Sequence, residues 1–517
     1  MKVQSYLVLA IMVLFLSTAF AQNALDIYAN AAEHRINKNI YGHFAEHLGR
    51  CIYDGIWVGP DSDIPNVNGY RKDVLEALQA LEIPVLRWPG GCFADTYHWM
   101  DGIGPVEKRP KIKNVFWGGV IEDNSFGTHE FLNLCELLGC DAYVSANVSS
   151  GTVEEMIDWI VYMTSDDDVE MANLRRQNGR EEPWDVKFIG IGNESWGCGG
   201  EMTPEHYADL MKTYSSYARH YGGRDLVRVG SGANSGDYNW TRVLMEEGAR
   251  FIDALGAHYY TIAGEGWHNK SSATDFGEAL YFRGIQQGLR IDELVSTHAA
   301  IMDQYDRRQR VGLFIDEWGI WTNVEPGTNP GFLYQQNSLR DALIAATTLN
   351  IFNQHCDRVR MANIAQTVNV LQAMILTEGD RMLRTPTYHV FNMYKGHKNA
   401  LLLPSHLVSE DYEFDGQSIP AISSSTSLSD DGTITMTVSN ANPNKAIALE
   451  ITVVGKMISS IQDGAVLTAP AVNSINTFDQ PDVVKPAVFK AFQKESDHVL
   501  TVELPSKSVV ALSLQCK

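Results

Sequence analysis

A (β/α)₈ barrel followed by an antiparallel, jelly-roll-like β-sandwich is the fold class this sequence predicts, and three observations predict it. Between residues 40 and 384, short apolar runs alternate with amphipathic helical stretches, which is the rhythm of βα units. Those runs number eight: "NIYGHF", "PVLRWPGG", "DAYVSANV", "KFIGIGNE", "LVRVGSG", "DALGAHYY", "GLFIDEWG" and "MANIAQTVNV". From residue 385 to 517 the texture changes to alternating segments such as "TITMTVSN", "ALEITVVG" and "SVVALSLQ", with turn signals at Asp431-Gly432 and Asn442-Pro443.

The elements follow in chain order. Residues 1–21 read as a secretory signal, with Lys2 as the positive start, "YLVLAIMVLFL" as the apolar core and Ala19-Phe20-Ala21 as a cleavage site. A secreted or periplasmic location is the expectation, with no membrane association after cleavage. Residues 22–39, "ALDIYANAAEHRI" among them, have strand character and are expected to pair with the sandwich. Within the barrel, "YRKDVLEALQAL" and "GTHEFLNLCELL" carry helical apolar faces, and Cys135 lies on the second of these with Phe131, Leu134 and Leu138. No sequence repeat of 20 to 50 residues interrupts this order.

Composition limits the partners. Acidic residues outnumber basic ones 63 to 41, and a net charge of -22 excludes a polyanionic partner such as nucleic acid and favours a neutral substrate. Seven cysteines are too few and too scattered for a disulfide scaffold, and an odd number leaves at least one unpaired.

Chemistry concentrates at the strand ends. A (β/α)₈ barrel builds its site at the C-terminal ends of its strands. The fourth run ends in Asn193-Glu194 and the seventh in Glu317, each glutamate flanked by Trp and Gly within a few residues, so the two carboxylates can face each other across the barrel mouth. Opposed carboxylates suit glycosidic bond cleavage, one protonating the leaving oxygen and the other attacking the anomeric carbon or activating water there. The acid must keep its proton near neutral pH while the partner stays ionised.

Other ends add His43, Glu46 and His47, then Arg87, Cys92 and Asp95, then Asn147, then His258, Tyr259 and Tyr260, and finally Gln366 and Asn369. Interleaved Trp57, Trp88, Trp99, Trp117, Trp196, Trp318 and Trp321 supply the flat apolar surfaces that sugar C–H faces need.

Competing readings are weaker. His43-Phe44-Ala45-Glu46-His47 has the H-x-x-E-H spacing of a zinc peptidase, but its strand-like context and Gly49 argue against the required helix. "GIGNES" lacks the last glycine of a dinucleotide fingerprint, and Asn147, Asn193, Asn239 and Asn269 head formal glycosylation sequons. A non-catalytic carbohydrate-binding protein would not need two opposed glutamates.

The chain resembles the α-L-arabinofuranosidases of glycoside hydrolase family 51. The resemblance rests on "IYGHFAEHLGRCIYDGIW", "VLRWPGGCFADTYHW", "NSFGTHEF", "GIGNESWGCGG", "HYYT", "FIDEWGIW" and "NIAQTVNVLQAMI", which span the barrel in the family's order. It implies that Glu194 is the acid/base and Glu317 the nucleophile of a retaining exo-glycosidase. It implies that Glu46, Arg87, Cys92, Asn193, Tyr260 and Gln366 bind the terminal arabinofuranose, with His258 supporting the acid/base. Cys92 stands where relatives place Asn or Cys, which gives it a role other than a disulfide. The resemblance further implies no metal or organic cofactor, arabinan, arabinoxylan or their oligosaccharides as substrate, and homo-oligomerisation. An endo-β-1,4-glucanase or xylanase is the alternative within the same chemistry.

Overall fold

A computed structural model of the chain describes residues 23–517. The expected barrel is there. Its strands are β1 (Gly42–Phe44), β2 (Val85–Trp88), β3 (Asp141–Ala146), β4 (Val186–Ile191), β5 (Val227–Asn234), β6 (Ala254–Thr261), β7 (Gly312–Ile320) and β8 (Val359–Ala365), parallel and in sequence order, with β8 pairing back to β1. Strands covered on both faces should read as continuous apolar runs, and β7 is buried along its whole length.

One residue from each of β2 to β8 fills the lower barrel: Val85, Tyr143, Phe188, Val229, Ala254, Phe314 and Met361 pack as a separate cluster. This plug closes the bottom and leaves the upper strand ends to build a site.

Two expectations shift. "NIYGHF" does not begin as a strand: Lys38–Tyr41 is a 3₁₀ turn, with the Asn37 side chain accepting from the Asn39 N–H, and β1 starts only at Gly42. The barrel also runs past residue 384. Helix Pro386–Met393, capped by Thr385, packs into the outer ring, where the Tyr388 hydroxyl donates to Ala77 O at 3.0 Å. No change of composition marks so short a helix, so the sequence read alone places the boundary before it.

The sandwich has two sheets. One orders Ser405–Val408, Ala24–Tyr28, Ile447–Val454, Val499–Leu504 and Phe492–Lys494; the N-terminal strand Ala24–Tyr28 runs parallel to Ile447–Val454 and antiparallel to Ser405–Val408. The other orders Leu401–Leu402, Ile422–Leu428, Thr433–Asn440, Ser508–Cys516, Ile458–Leu467 and Ala487–Val488. This second sheet lies against helix Leu339–Gln354, which is buried from end to end except at Gln354. The junction is polar but satisfied: Asn350 Nδ2 donates to Ser423 Oγ at 3.2 Å and Asn353 Nδ2 to Ser425 Oγ at 3.1 Å. Among the described residues, no helix is long and apolar enough to cross a membrane.

Candidate active site

A cavity of about 340 Å³ opens at the C-terminal ends of the barrel strands. Its wall includes Glu46, Cys92, Glu194, His258, Tyr260, Glu317 and Gln366. A larger cleft, about 830 Å³, runs between the outer helices and the sandwich, but Asp292 and Asp411 are the ionisable groups in its wall, with no cationic side chain among the lining residues.

The turn after β4 sets Glu194. Gly192 (φ +79°) and Glu194 itself (φ +40°) are left-handed, which turns the carboxylate out of the strand and into the mouth. A non-glycine residue in that region costs on the order of 1 kcal/mol and is characteristic of functional positions. The N–H groups of Gly197 and Gly199 donate to the Glu194 carbonyl at 2.7 and 3.1 Å. Gly199 packs so closely that a Cβ there would sit 1.8 Å from the Asn193 carbonyl oxygen, so the glycine-rich tail folds back and clamps the turn.

The two glutamates meet. An oxygen of Glu194 lies within 4.8 Å of one of Glu317, and His258 Nδ1 stands 2.8 Å from Glu194 Oε1 and 3.5 Å from Glu317 Oε2. Their surroundings differ. Glu317 Oε1 accepts from the Tyr260 hydroxyl at 2.5 Å and Oε2 from Arg87 Nη1 at 3.1 Å, so donors engage both of its oxygens. Glu194 Oε1 accepts from His258 Nδ1 at 2.8 Å. Burial, and then the Glu317 charge, push the Glu194 carboxyl above its ordinary range against the pull of His258.

His258 is held as a cation. Burial opposes its charge, but Glu317, Asp316 and Glu194 outweigh burial and raise it to about 10. Its Nε2 is 3.4 Å from Asp316 Oδ1, an ion pair rather than an aligned hydrogen bond. Burial would raise the Asp316 carboxyl too, but Arg87 and His258 hold it below the ordinary carboxylate range, and the Tyr143 hydroxyl donates to its Oδ2 at 2.7 Å.

Glu46 has a different environment. Oε1 accepts from Trp117 Nε1 (2.8 Å) and the Phe93 N–H (3.2 Å), and Oε2 from Gln366 Nε2 (2.9 Å). Burial and then the Glu317 charge raise it to about 7 despite these donors.

Not every anticipated residue reaches the wall. Arg87 and Asn193 are each 1% exposed and stand behind the glutamates, with Arg87 Nη2 donating to Asn193 Oδ1 at 2.5 Å. Cys92 lines the cavity, but as half of a disulfide to Cys198 and not as a free thiol, which corrects the expectation of another role. His47 turns away to accept from Trp88 Nε1 at 3.1 Å, and His43 packs on Phe391, so the H-x-x-E-H residues do not converge.

Asn147 serves its own turn, accepting from Ser150 and Gly151, and Asn369 Nδ2 donates to Thr377 Oγ1. Tyr259 donates to Gln287 O. Trp57, Trp88, Trp99 and Trp318 are core residues, while Trp117, Trp196 and Trp321 do line the cavity. Sequence reading missed Trp267 at the rim, 51% exposed and edge-on to Trp321 at 5.1 Å, and missed Asp316, Tyr143 and Asn234.

Known proteins share this architecture. The model of the α-L-arabinofuranosidase 1 domain matches residues 77–265, and that of the α-L-arabinofuranosidase C-terminal domain matches residues 316–508. A Bacteroides ovatus protein named intracellular exo-α-L-arabinofuranosidase is 52% identical over 95% of each chain. The crystal structure of the glycoside hydrolase family 51 arabinofuranosidase from Xanthomonas axonopodis pv. citri superposes with a TM-score of 0.94 at 45% identity, covering 95% of this chain and 100% of that one. An α-L-arabinofuranosidase from Thermotoga maritima, solved as an arabinose complex, gives 0.84 at 30% identity, covering 95% and 99%.

The first of these relatives corrects one expectation. A chain so similar along its whole length is named intracellular, so the secreted or periplasmic placement drawn from residues 1–21 is withdrawn. Those residues lie outside the described part of the structure. The reading rested on Lys2, the apolar core and the Ala19-Phe20-Ala21 site, taken from the sequence alone.

Proposed function

The chain belongs to the glycoside hydrolase family 51 α-L-arabinofuranosidases, and from that premise we propose that it works by double displacement, with Glu317 as nucleophile and Glu194 as acid/base. Arabinan, arabinoxylan and their oligosaccharides are the substrates we assign to it. The observation that carries the mechanism is the approach of the two carboxylates to within 4.8 Å, oxygen to oxygen. Retaining enzymes hold their carboxyl groups about 5 to 5.5 Å apart, whereas inverting ones leave roughly 6.5 to 9.5 Å for a water molecule.

Environment divides the labour. His258 donates to Oε1 of Glu194, so the acid proton resides on Oε2, the free oxygen. Delivered to the leaving oxygen, that proton departs with the aglycone as Glu317 attacks the anomeric carbon. Glu194, now ionised beside the His258 cation, removes a proton from the water that releases arabinose. Arg87 fixes Glu317 from behind and ties it to Asn193, whose Nδ2 is buried without a protein partner.

Glu46 and Gln366 offer paired acceptors and donors for sugar hydroxyls, and Trp196, Trp321 and Trp267 offer apolar faces toward the rim. Product analysis tests the assignment. Arabino-oligosaccharides and arabinosylated xylo-oligosaccharides should yield monomeric arabinose with the xylose backbone left intact. Shortening of an unsubstituted xylan or glucan chain would overturn it.

A further inference from the structure

The Cys92–Cys198 disulfide joins the loop after β2 to the loop after β4, across 106 residues of sequence. It stands beside the acid/base: Cys198 Sγ is 3.5 Å from Glu194 Oε2. The other oxygen of Glu194 is engaged by His258, so Oε2 is the one turned toward the sulfurs. Donor atoms of Cys92, Glu194 and Cys198 all lie within 4.8 Å of one another.

We propose that reduction of this disulfide opens a binding site for a thiophilic divalent cation of the zinc class, held by Cys92, Cys198 and Glu194, and that its occupation switches the hydrolase off. Two thiolates with one carboxylate suit zinc, which accepts sulfur and oxygen ligands in tetrahedral array. Metal–sulfur and metal–oxygen bonds of about 2.3 and 2.0 Å at a tetrahedral angle span roughly 3.5 Å from sulfur to oxygen. The Cys198 to Glu194 separation already has that value. The two sulfurs must part to about 3.8 Å, which scission of their bond permits between Cα atoms 5.5 Å apart. A water molecule completes the tetrahedron.

The chemistry balances with a phosphine as reductant. Phosphine and water convert the disulfide to two thiols, the S–S bond breaking as a P=O bond forms and phosphorus supplying the two electrons. Binding of the cation then releases the two thiol protons and the Glu194 carboxyl proton to solvent. Coordination occupies Glu194 Oε2, the oxygen that the proposed mechanism requires to carry a proton. The site itself does not depend on that mechanism, but the loss of activity does.

The test uses the full-length enzyme, reduced anaerobically with a phosphine, desalted and titrated with Co²⁺ and then Zn²⁺. One equivalent of Co²⁺ should give thiolate-to-cobalt charge-transfer bands that Zn²⁺ abolishes, and oxidised enzyme should give none. Hydrolysis of an aryl arabinofuranoside by reduced enzyme should fall at least tenfold as that equivalent binds. It should return when EDTA is added with the thiols still reduced. A Cys92→Ser, Cys198→Ser double variant should lose the bands. Identical cobalt spectra for reduced and oxidised enzyme would overturn the proposal. So would bands that persist in the double variant, since they would place the metal at other thiols such as Cys135 and Cys140. The bands are read without turnover, so they separate failure of the site from failure of the catalytic assignment.

Discussion

Asp316→Asn removes the anion that holds His258 in its charged form while keeping the side chain's shape. The pair is buried, Asp316 4% and His258 7% exposed, with 3.4 Å between Nε2 and Oδ1. At an effective dielectric constant of about 20, charges that far apart attract by about 5 kcal/mol, and the amide dipole of Asn recovers part of this, leaving about 2 to 4 kcal/mol. Divided by about 1.4 kcal/mol per pH unit, the loss lowers the His258 titration by roughly 1.5 to 3 units. It moves from about 10 in the wild type to about 7 to 8.5 in the variant.

A cation that persists through the neutral range in the wild type would thus be lost within it in the variant. Imidazole NMR of histidine-labelled enzyme reads the titration directly. A pH profile of kcat/KM should gain a new ionisation near neutrality, with activity falling as pH rises through it. The reasoning fails if the His258 resonance titrates as in the wild type, or if the variant's profile superimposes on the wild-type profile after scaling.

Two further predictions follow from the same groups. Glu194→Ala should lose about 10²- to 10⁴-fold in kcat on substrates with poor leaving groups and far less on nitrophenyl arabinofuranosides, with azide restoring turnover. Equal loss for every leaving group, without rescue, would remove Glu194 from the acid/base role. Glu46 bears on stability, because its carboxyl is raised to about 7 by burial and by Glu317. Its protonated form is favoured in the fold, so the stability it contributes is complete below the unfolded-state pKa and is lost as pH rises through about 7, on the order of 3 kcal/mol. Thermal melts from pH 5 to 8 should decline less steeply for Glu46→Gln than for wild type, and parallel declines would show that Glu46 does not titrate there.

The barrel was legible in the sequence because parallel strands buried on both faces leave apolar runs of strand length, and eight such runs alternate with helical stretches. The pairing of Glu194 with Glu317 was legible because both end such runs. Asp316 was not, since neighbours on a strand point to opposite faces. The structure evades that rule with a bulge: the register between β6 and β7 shifts between Gly256 and His258, so Asp316 reaches Arg87, Tyr143 and His258 while Glu317 still faces the cavity.

Four tryptophans near strand ends proved to be core, because nearness to a strand end does not say whether a ring points into the mouth or toward the helices. Trp267 was missed for the converse reason, as it sits in a loop between elements. Connectivity of cysteines cannot be derived from their spacing, and only the folded chain brings Cys92 to Cys198.

The central claim is that Glu317 attacks the sugar and Glu194 serves it with a proton. Mass spectrometry of the enzyme reacted with an arabinofuranosyl fluoride that carries fluorine at C2, followed by peptide mapping, tests it most directly. The adduct should add one 2-deoxy-2-fluoroarabinosyl mass and map to Glu317 in the peptide containing "FIDEWG". An adduct on Glu194 or Glu46, or turnover without any covalent species together with an inverted first product, would contradict it.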